Sequence, residues 1–75
     1  MKHHFRYELF QVALSNFIRT KTEELGKRPS LREIAKQTGV SYPAVDRAIH
    51  GYQVDVNTIF ALCNWIGKPA IDFYL

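Results

Sequence analysis

Four polar side chains along one short segment are the residues of this sequence best suited to chemistry: Tyr42, Asp46, Arg47 and His50. The guanidinium fork of Arg47 can donate two hydrogen bonds to guanine O6 and N7, and a carboxylate such as Asp46 can accept one from cytosine N4. Catalysis needs other groups, and we find no Ser-His-Asp set, carboxylate pair, glycine-rich phosphate loop or zinc motif. The sequence therefore predicts a binding protein, not an enzyme, with no metal and no cofactor.

Residues 30 to 51 predict two short helices joined by a tight turn. Ser30 and Glu33 have the spacing of a capping box, Gly39 can take the positive φ of a sharp turn, and Ser41 can cap the second helix. Helical spacing puts Ala44, Val45, Ala48 and Ile49 on the inward face of this second helix, and Tyr42, Pro43, Asp46, Arg47 and His50 on the outward face. A helix-turn-helix at about residues 31–50 with a polar outer face suits the DNA major groove.

The remaining residues predict further helices around this motif. A first helix is expected from about residue 6 to Leu25, and a fourth from the cap residue Asp55 to Gly67. The apolar face predicted for the fourth helix consists of Ile59, Phe60, Leu62, Cys63 and Ile66. Pro69 can begin a short fifth helix that reaches Tyr74. We therefore expect an all-α fold, with a flexible arm at residues 1–5 and one domain over residues 6–75.

Composition limits the possible classes of protein. The chain has 75 residues, 47% of them apolar, so one small core is feasible. A single cysteine, Cys63, fits a reducing compartment, and no apolar run approaches a membrane span, so we expect a cytoplasmic protein, in a bacterial cytoplasm or nucleoid. Of the ten Lys and Arg residues, six lie in residues 1–28 against three Glu. This basic excess favours a partner that carries phosphates.

Three stretches of the sequence resemble the lambda-repressor and Cro-type helix-turn-helix family. They are Leu31-Arg32-Glu33-Ile34-Ala35 with Gly39-Val40-Ser41, then Val45 to Gly51, and then Asp55 to Ile59 with Leu62 and Trp65-Ile66-Gly67. Gly39 to Tyr42 and Val45-x-Arg47 also resemble the lac-repressor headpiece, although the long first helix favours the lambda-repressor arrangement. The resemblance implies a five-helix domain that binds double-stranded DNA, commonly as a dimer, in a transcriptional regulator of a phage or bacterium.

The candidate DNA-binding residues form two groups. The candidates for base reading are Tyr42, Pro43, Asp46, Arg47 and His50, and the candidates for phosphate contact are Lys27, Arg28, Ser30, Arg32, Lys36, Ser41 and Asn57. Alternatives stay open for several of them. Arg47 can instead pair with Asp46 or Glu33, Asp46 can accept from cytosine, orient Arg47 or repel phosphate, and His50 can contact phosphate or only complement the helix dipole.

Partners other than DNA are also compatible with the sequence. The apolar ending Ile71-Asp72-Phe73-Tyr74-Leu75 can pack on the core, form a homodimer surface, or lead into a missing C-terminal domain. The alternative function is a protein-interaction module or antitoxin that keeps the helix-turn-helix fold and grips its partner with this C-terminal aromatic surface.

Overall fold

The computed structural model describes residues 4–74. Its elements are α1 (Tyr7–Leu25), α2 (Leu31–Thr38), α3 (Tyr42–Ile49) and α4 (Val56–Ile66), followed by a 3₁₀ helix at Ala70–Phe73. The predicted all-α class is confirmed. The element expected as a fifth α-helix is a single 3₁₀ turn, and within residues 4–74 the only β pairing is an isolated antiparallel bridge between Phe5 and Tyr74.

Local hydrogen bonds fix α2 and the turn that follows it. The Ser30 hydroxyl accepts from the Glu33 N–H at 3.1 Å, and the Glu33 carboxylate accepts from the Ser30 N–H at 3.3 Å, which is the predicted capping box. Gly39 then has φ of +76°, a conformation that glycine adopts without strain. The Thr38 hydroxyl donates to Ile34 O at 2.7 Å and accepts from the Val40 N–H at 3.2 Å, so it holds both sides of the turn.

One apolar core joins all the helices. It is formed by Phe10, Leu14, Ile18, Ile34, Val40, Val45, Ala48, Ile59, Leu62, Cys63, Ile66, Ala70 and Phe73. The face predicted for α4 is wrong in one residue, because Phe60 is 56% exposed. Residues 59, 62, 63 and 66 form a stripe with the i, i+3, i+4, i+7 spacing of one buried face, and Phe60 lies beside that stripe with Val56.

The two ends of the described chain are packed together. The N–H of Arg6 donates to Phe73 O at 2.6 Å, and the Phe5 ring lies 5.2 Å from Phe10 and 5.1 Å from Tyr74 in edge-on contacts. Phe5 is partly buried against the core, and its aromatic contacts stabilise the segment there. The flexibility expected of the arm at residues 1–5 stays a prediction. Residues 1–3 of that arm lie outside the described residues.

Side chains of α1 hold the connector between α3 and α4. The Gln11 amide donates to Ile49 O at 3.1 Å, and the Tyr7 hydroxyl donates to Val54 O at 3.1 Å. Gly51 has φ of +80°, and a Cβ added there would lie only 2.8 Å from Gln11 Oε1. The connector is thus fixed at both of its ends by a helix that is distant in sequence.

Replacing Gly51 with Ala should cost more stability than the same change at Gly26. Both glycines have positive φ, so both substitutions introduce backbone strain, but nothing lies within 4 Å of a Cβ at Gly26. At Gly51 the Gln11 side chain must move away and release Ile49 O, a further loss of about 1 kcal/mol. Urea denaturation of the two variants measures the difference. Equal losses would contradict the contact, and in a Gln11→Ala background the difference should disappear.

Asp55 caps α4 and links its stability to pH. Its carboxylate accepts from the Thr58 N–H at 3.0 Å, and hydrogen bonding by Thr58, chiefly from the side chain and then from the backbone, lowers the pKa of Asp55 below its ordinary value of 3.8. A carboxyl whose pKa is lower in the folded state stabilises that state above the unfolded pKa. This stabilisation is lost as pH falls through the lower, folded value.

The variant Asp55→Asn should therefore change the acid limb of the stability curve. Asparagine also caps helices but does not titrate in this range, so the stability advantage of the unmodified protein should shrink as pH falls below about 3.8. Urea denaturation between pH 2.5 and 6 measures it. Asp72→Asn is the matched control because Asp72 caps no α-helix, and an identical pH-dependent change in that variant would argue against a specific role for Asp55.

Candidate nucleic-acid interface

The outer face of α3 is the candidate site, and its orientation follows from the residues beneath it. Val45 is 0% and Ala48 1% exposed, so these two side chains fix the rotation of the helix about its axis. The opposite side then presents Tyr42, Pro43, Arg47 and His50 as exposed residues, with Asp46 half-buried. All five base-reading candidates thus lie away from the core, on a helix whose N-terminus is capped by Ser41.

Arg47 is held by the connector after α3. Its Nη2 atom donates to Gln53 O at 3.0 Å, and both residues are exposed. The ion pairs found within residues 4–74 are Lys21–Glu24 and Asp46–His50, so Arg47 pairs neither with Asp46 nor with Glu33 in this part of the chain. One edge of the guanidinium is thereby oriented by a backbone carbonyl, and the remaining N–H groups are left to meet a ligand.

Asp46 contacts His50, one helical turn later, and not Arg47. Nδ1 of His50 lies 2.8 Å from the backbone oxygen of Asp46 and 3.3 Å from its carboxylate Oδ1. This contact gives the carboxylate an intramolecular partner on the same face of α3. The i, i+4 spacing of the two residues was the signal in the sequence that would have suggested it.

The phosphate candidates are exposed but spread over more than one surface. Lys27, Arg28, Ser30, Arg32, Lys36, Ser41 and Asn57 are all exposed. Ser41 and Arg47 line one concavity of about 460 Å³ between the beginnings of α3 and α4. Arg28 instead lines a groove of about 340 Å³ along α1, with Arg19 and Thr22. The structure therefore groups Ser41 with Arg47 and places Arg28 in a separate groove.

Gln11 and Thr38, which were not among the predicted site residues, hold the two ends of α3 by hydrogen bonds to the backbone. Gln11 fixes the last turn of α3 through Ile49 O, and Thr38 fixes the turn before α3 through the Val40 N–H. The concavity beside α3 is lined by Asp55 as well as Arg47, so its lining holds one acidic and one basic group. Gln11 is not part of a local pattern that would reveal its partner 38 residues away, whereas Thr38 bonds residues only two to four positions from itself.

Cys63 is a buried residue of the core. It is 2% exposed, and burial, with a smaller contribution from Asp72, raises the pKa of its thiol to about 11. The reactive thiolate is therefore scarce at neutral pH. Among the described residues no three His, Cys, Asp or Glu side chains are grouped so that they could hold a metal ion. No helix within residues 4–74 has the length and apolar character to cross a membrane.

The chain was compared with protein-family models, with curated proteins and with solved structures. No match was found in any of the three comparisons.

Proposed function

We propose that this protein binds double-stranded DNA in a sequence-specific way and acts as a transcriptional regulator. In this proposal α2, the Gly39 turn and α3 form a helix-turn-helix, and α3 enters the major groove. The observation that carries it is the division of α3 into two faces. Val45 and Ala48 are fully buried beneath the helix, while Tyr42, Arg47 and His50 are exposed on its outer side.

The support around α3 favours recognition by a preorganised surface. The turn before α3 is held by the Thr38 hydroxyl, and the last turn of α3 is held by Gln11 at Ile49 O. A helix fixed at both ends loses little further conformational freedom when it binds. Side chains on its outer face can then be aligned with base edges. This alignment matters because hydrogen bonds weaken steeply when their distance or angle departs from the ideal.

In this proposal one group of candidate residues contacts bases and the other contacts phosphates. Tyr42, Pro43, Asp46, Arg47 and His50 face the bases, with Arg47 donating to guanine. Phosphates are contacted by Lys27, Arg28, Ser30, Arg32, Lys36, Ser41 and Asn57, and these contacts set the register of α3 on the duplex. Arg32 and Lys36 are one turn apart on exposed positions of α2, the helix that crosses the DNA backbone in this arrangement.

Tight binding requires more than one copy of so small a surface. A single α3 of eight residues contributes few base contacts. We therefore propose a homodimer on a two-fold symmetric operator, with the two α3 helices about 34 Å apart in successive major grooves.

The second candidate function is a protein-interaction module, or an antitoxin, with this fold. The exposed apolar side chains of Val56, Phe60 and Ile71, at 54%, 56% and 72% exposure, favour it. Phe73 of the aromatic C-terminal surface is only 5% exposed, and its ring packs 5.5 Å from that of Phe10, so it is not free to contact a partner.

The variant Arg47→Ala should weaken binding to the preferred duplex and relax base preference at one position. Loss of a bidentate arginine–guanine contact costs about 1–3 kcal/mol in discrimination. The measurement is a selection from random duplex DNA, followed by fluorescence titrations of the best site at several salt concentrations. For the unmodified protein, the logarithm of the association constant should fall linearly with the logarithm of the salt concentration, with a slope of about −0.9 for each phosphate contacted.

Arg19→Ala provides the matched control because it removes the same charge from an exposed position on α1. That variant should keep the selected site and its base preferences. If the two arginine variants select the same sites with the same base preferences, Arg47 is not a base-reading residue, although DNA binding stands. If the unmodified protein enriches no site, DNA binding fails and the protein-interaction module becomes the better proposal.

A further inference from the structure

The neighbours of the His50 imidazole determine whether its Nδ1 atom carries a hydrogen. Nδ1 faces two oxygen atoms of Asp46, the backbone carbonyl at 2.8 Å and the carboxylate Oδ1 at 3.3 Å. A carbonyl oxygen and an ionised carboxylate oxygen both accept hydrogen bonds and cannot donate. Nδ1 must therefore carry a hydrogen, in the neutral ring as well as in the charged one.

The tautomer decides what the outer edge of the ring can bind. A neutral imidazole has one N–H, and with that hydrogen on Nδ1 the Nε2 atom has a free lone pair and acts only as an acceptor. The side chain of His50 is 62% exposed, on the outer face of α3. The neutral ring consequently offers a ligand an acceptor, which suits neither a phosphate oxygen nor the O6 and N7 atoms of guanine.

We propose that His50 reads an amino group on the edge of a base, cytosine N4 or adenine N6, through Nε2. These are the two donors in the major groove, since guanine and thymine present acceptors there. Asp46 is the positioning residue, because its two oxygens hold the hydrogen on Nδ1. This inference rests on the proposed function and assigns a base class to one position of its site.

Arg47 supplies the complementary chemistry beside His50. A guanidinium has donors only, and one of its nitrogens is already engaged by Gln53 O, so the rest of the group suits an acceptor edge such as that of guanine. Arg47 and His50 are three residues apart, about 4.5 Å along a helix axis, and base pairs rise 3.4 Å. The guanine and the amino-bearing base should thus lie on the same or neighbouring base pairs.

The experiment is a selection from random duplex DNA at pH 8.5 with the unmodified protein, His50→Ala and His50→Lys. The unmodified protein should prefer cytosine or adenine at one position by about threefold to tenfold, the strength of one hydrogen bond. His50→Ala should lose that preference and keep the others. His50→Lys, which has donors only, should turn it towards guanine. Asn64→Ala, an exposed change on α4, is the control and should select unchanged sites.

Two failures are distinguishable in this selection. Enriched sites that are the same for the unmodified protein and His50→Ala, or a guanine preference in the unmodified protein that His50→Ala removes, would overturn the inference and leave DNA binding intact. If the unmodified protein enriches no site, DNA binding itself fails and the inference fails with it.

A spectroscopic measurement tests the tautomer in the free protein, without DNA. Long-range ¹H–¹⁵N correlation spectra at pH 8.5 should show His50 with its hydrogen on Nδ1. Asp46→Ala removes the side-chain acceptor and leaves only the backbone carbonyl, so it should lower the population of that tautomer. A hydrogen found mainly on Nε2 in the unmodified protein would overturn the inference. An unchanged tautomer population in Asp46→Ala would overturn the role given to the Asp46 carboxylate.

Discussion

The contact of α3 with the core, through Val45 and Ala48, determines what the rest of the surface can be. Isolated helices shorter than about 12 residues are marginal in water, so an eight-residue helix depends on packing for its existence. Val45 supplies a branched side chain that is completely buried, and the single methyl of Ala48 lets the helix backbone approach the core closely. Because each helical residue turns about 100°, fixing these two inward residues fixes every outward one.

Helix α1 has a second role besides its share of the core. Its Gln11 side chain donates to the carbonyl of Ile49, before the Gly51 turn, and its Tyr7 hydroxyl donates to the carbonyl of Val54, after that turn. The chain leaving α3 is therefore fixed by a helix far away in sequence. Arg47 adds a third hydrogen bond to the connector, through Gln53 O, so the connector and the outer face of α3 are linked.

The helix boundaries could be predicted because their signals are local. Ser30 with Glu33, Ser41 and Asp55 each cap the helix that begins at the next residue. Gly39 and Gly67 end helices through their own positive φ, which needs no distant partner. The outward position of Arg47 and His50 followed from helical periodicity. Phe5 and Phe60 could not be assigned in this way, since apolar character does not say which aromatic ring finds a partner. The links of Gln11 to Ile49 and Arg47 to Gln53 depend on how helices pack, which no local pattern encodes.

The pairing of Phe5 with Tyr74 makes the described chain almost a ring. Residues in an antiparallel bridge have Cα atoms only about 4.5–5.5 Å apart, so both ends emerge at the same corner of the molecule. A peptide of a few residues could join them, and new ends could be opened in the exposed linker at Gly26 and Lys27. Two modules attached next to Phe5 and Tyr74 would meet at an effective concentration set by their linkers, because the two attachment points are adjacent.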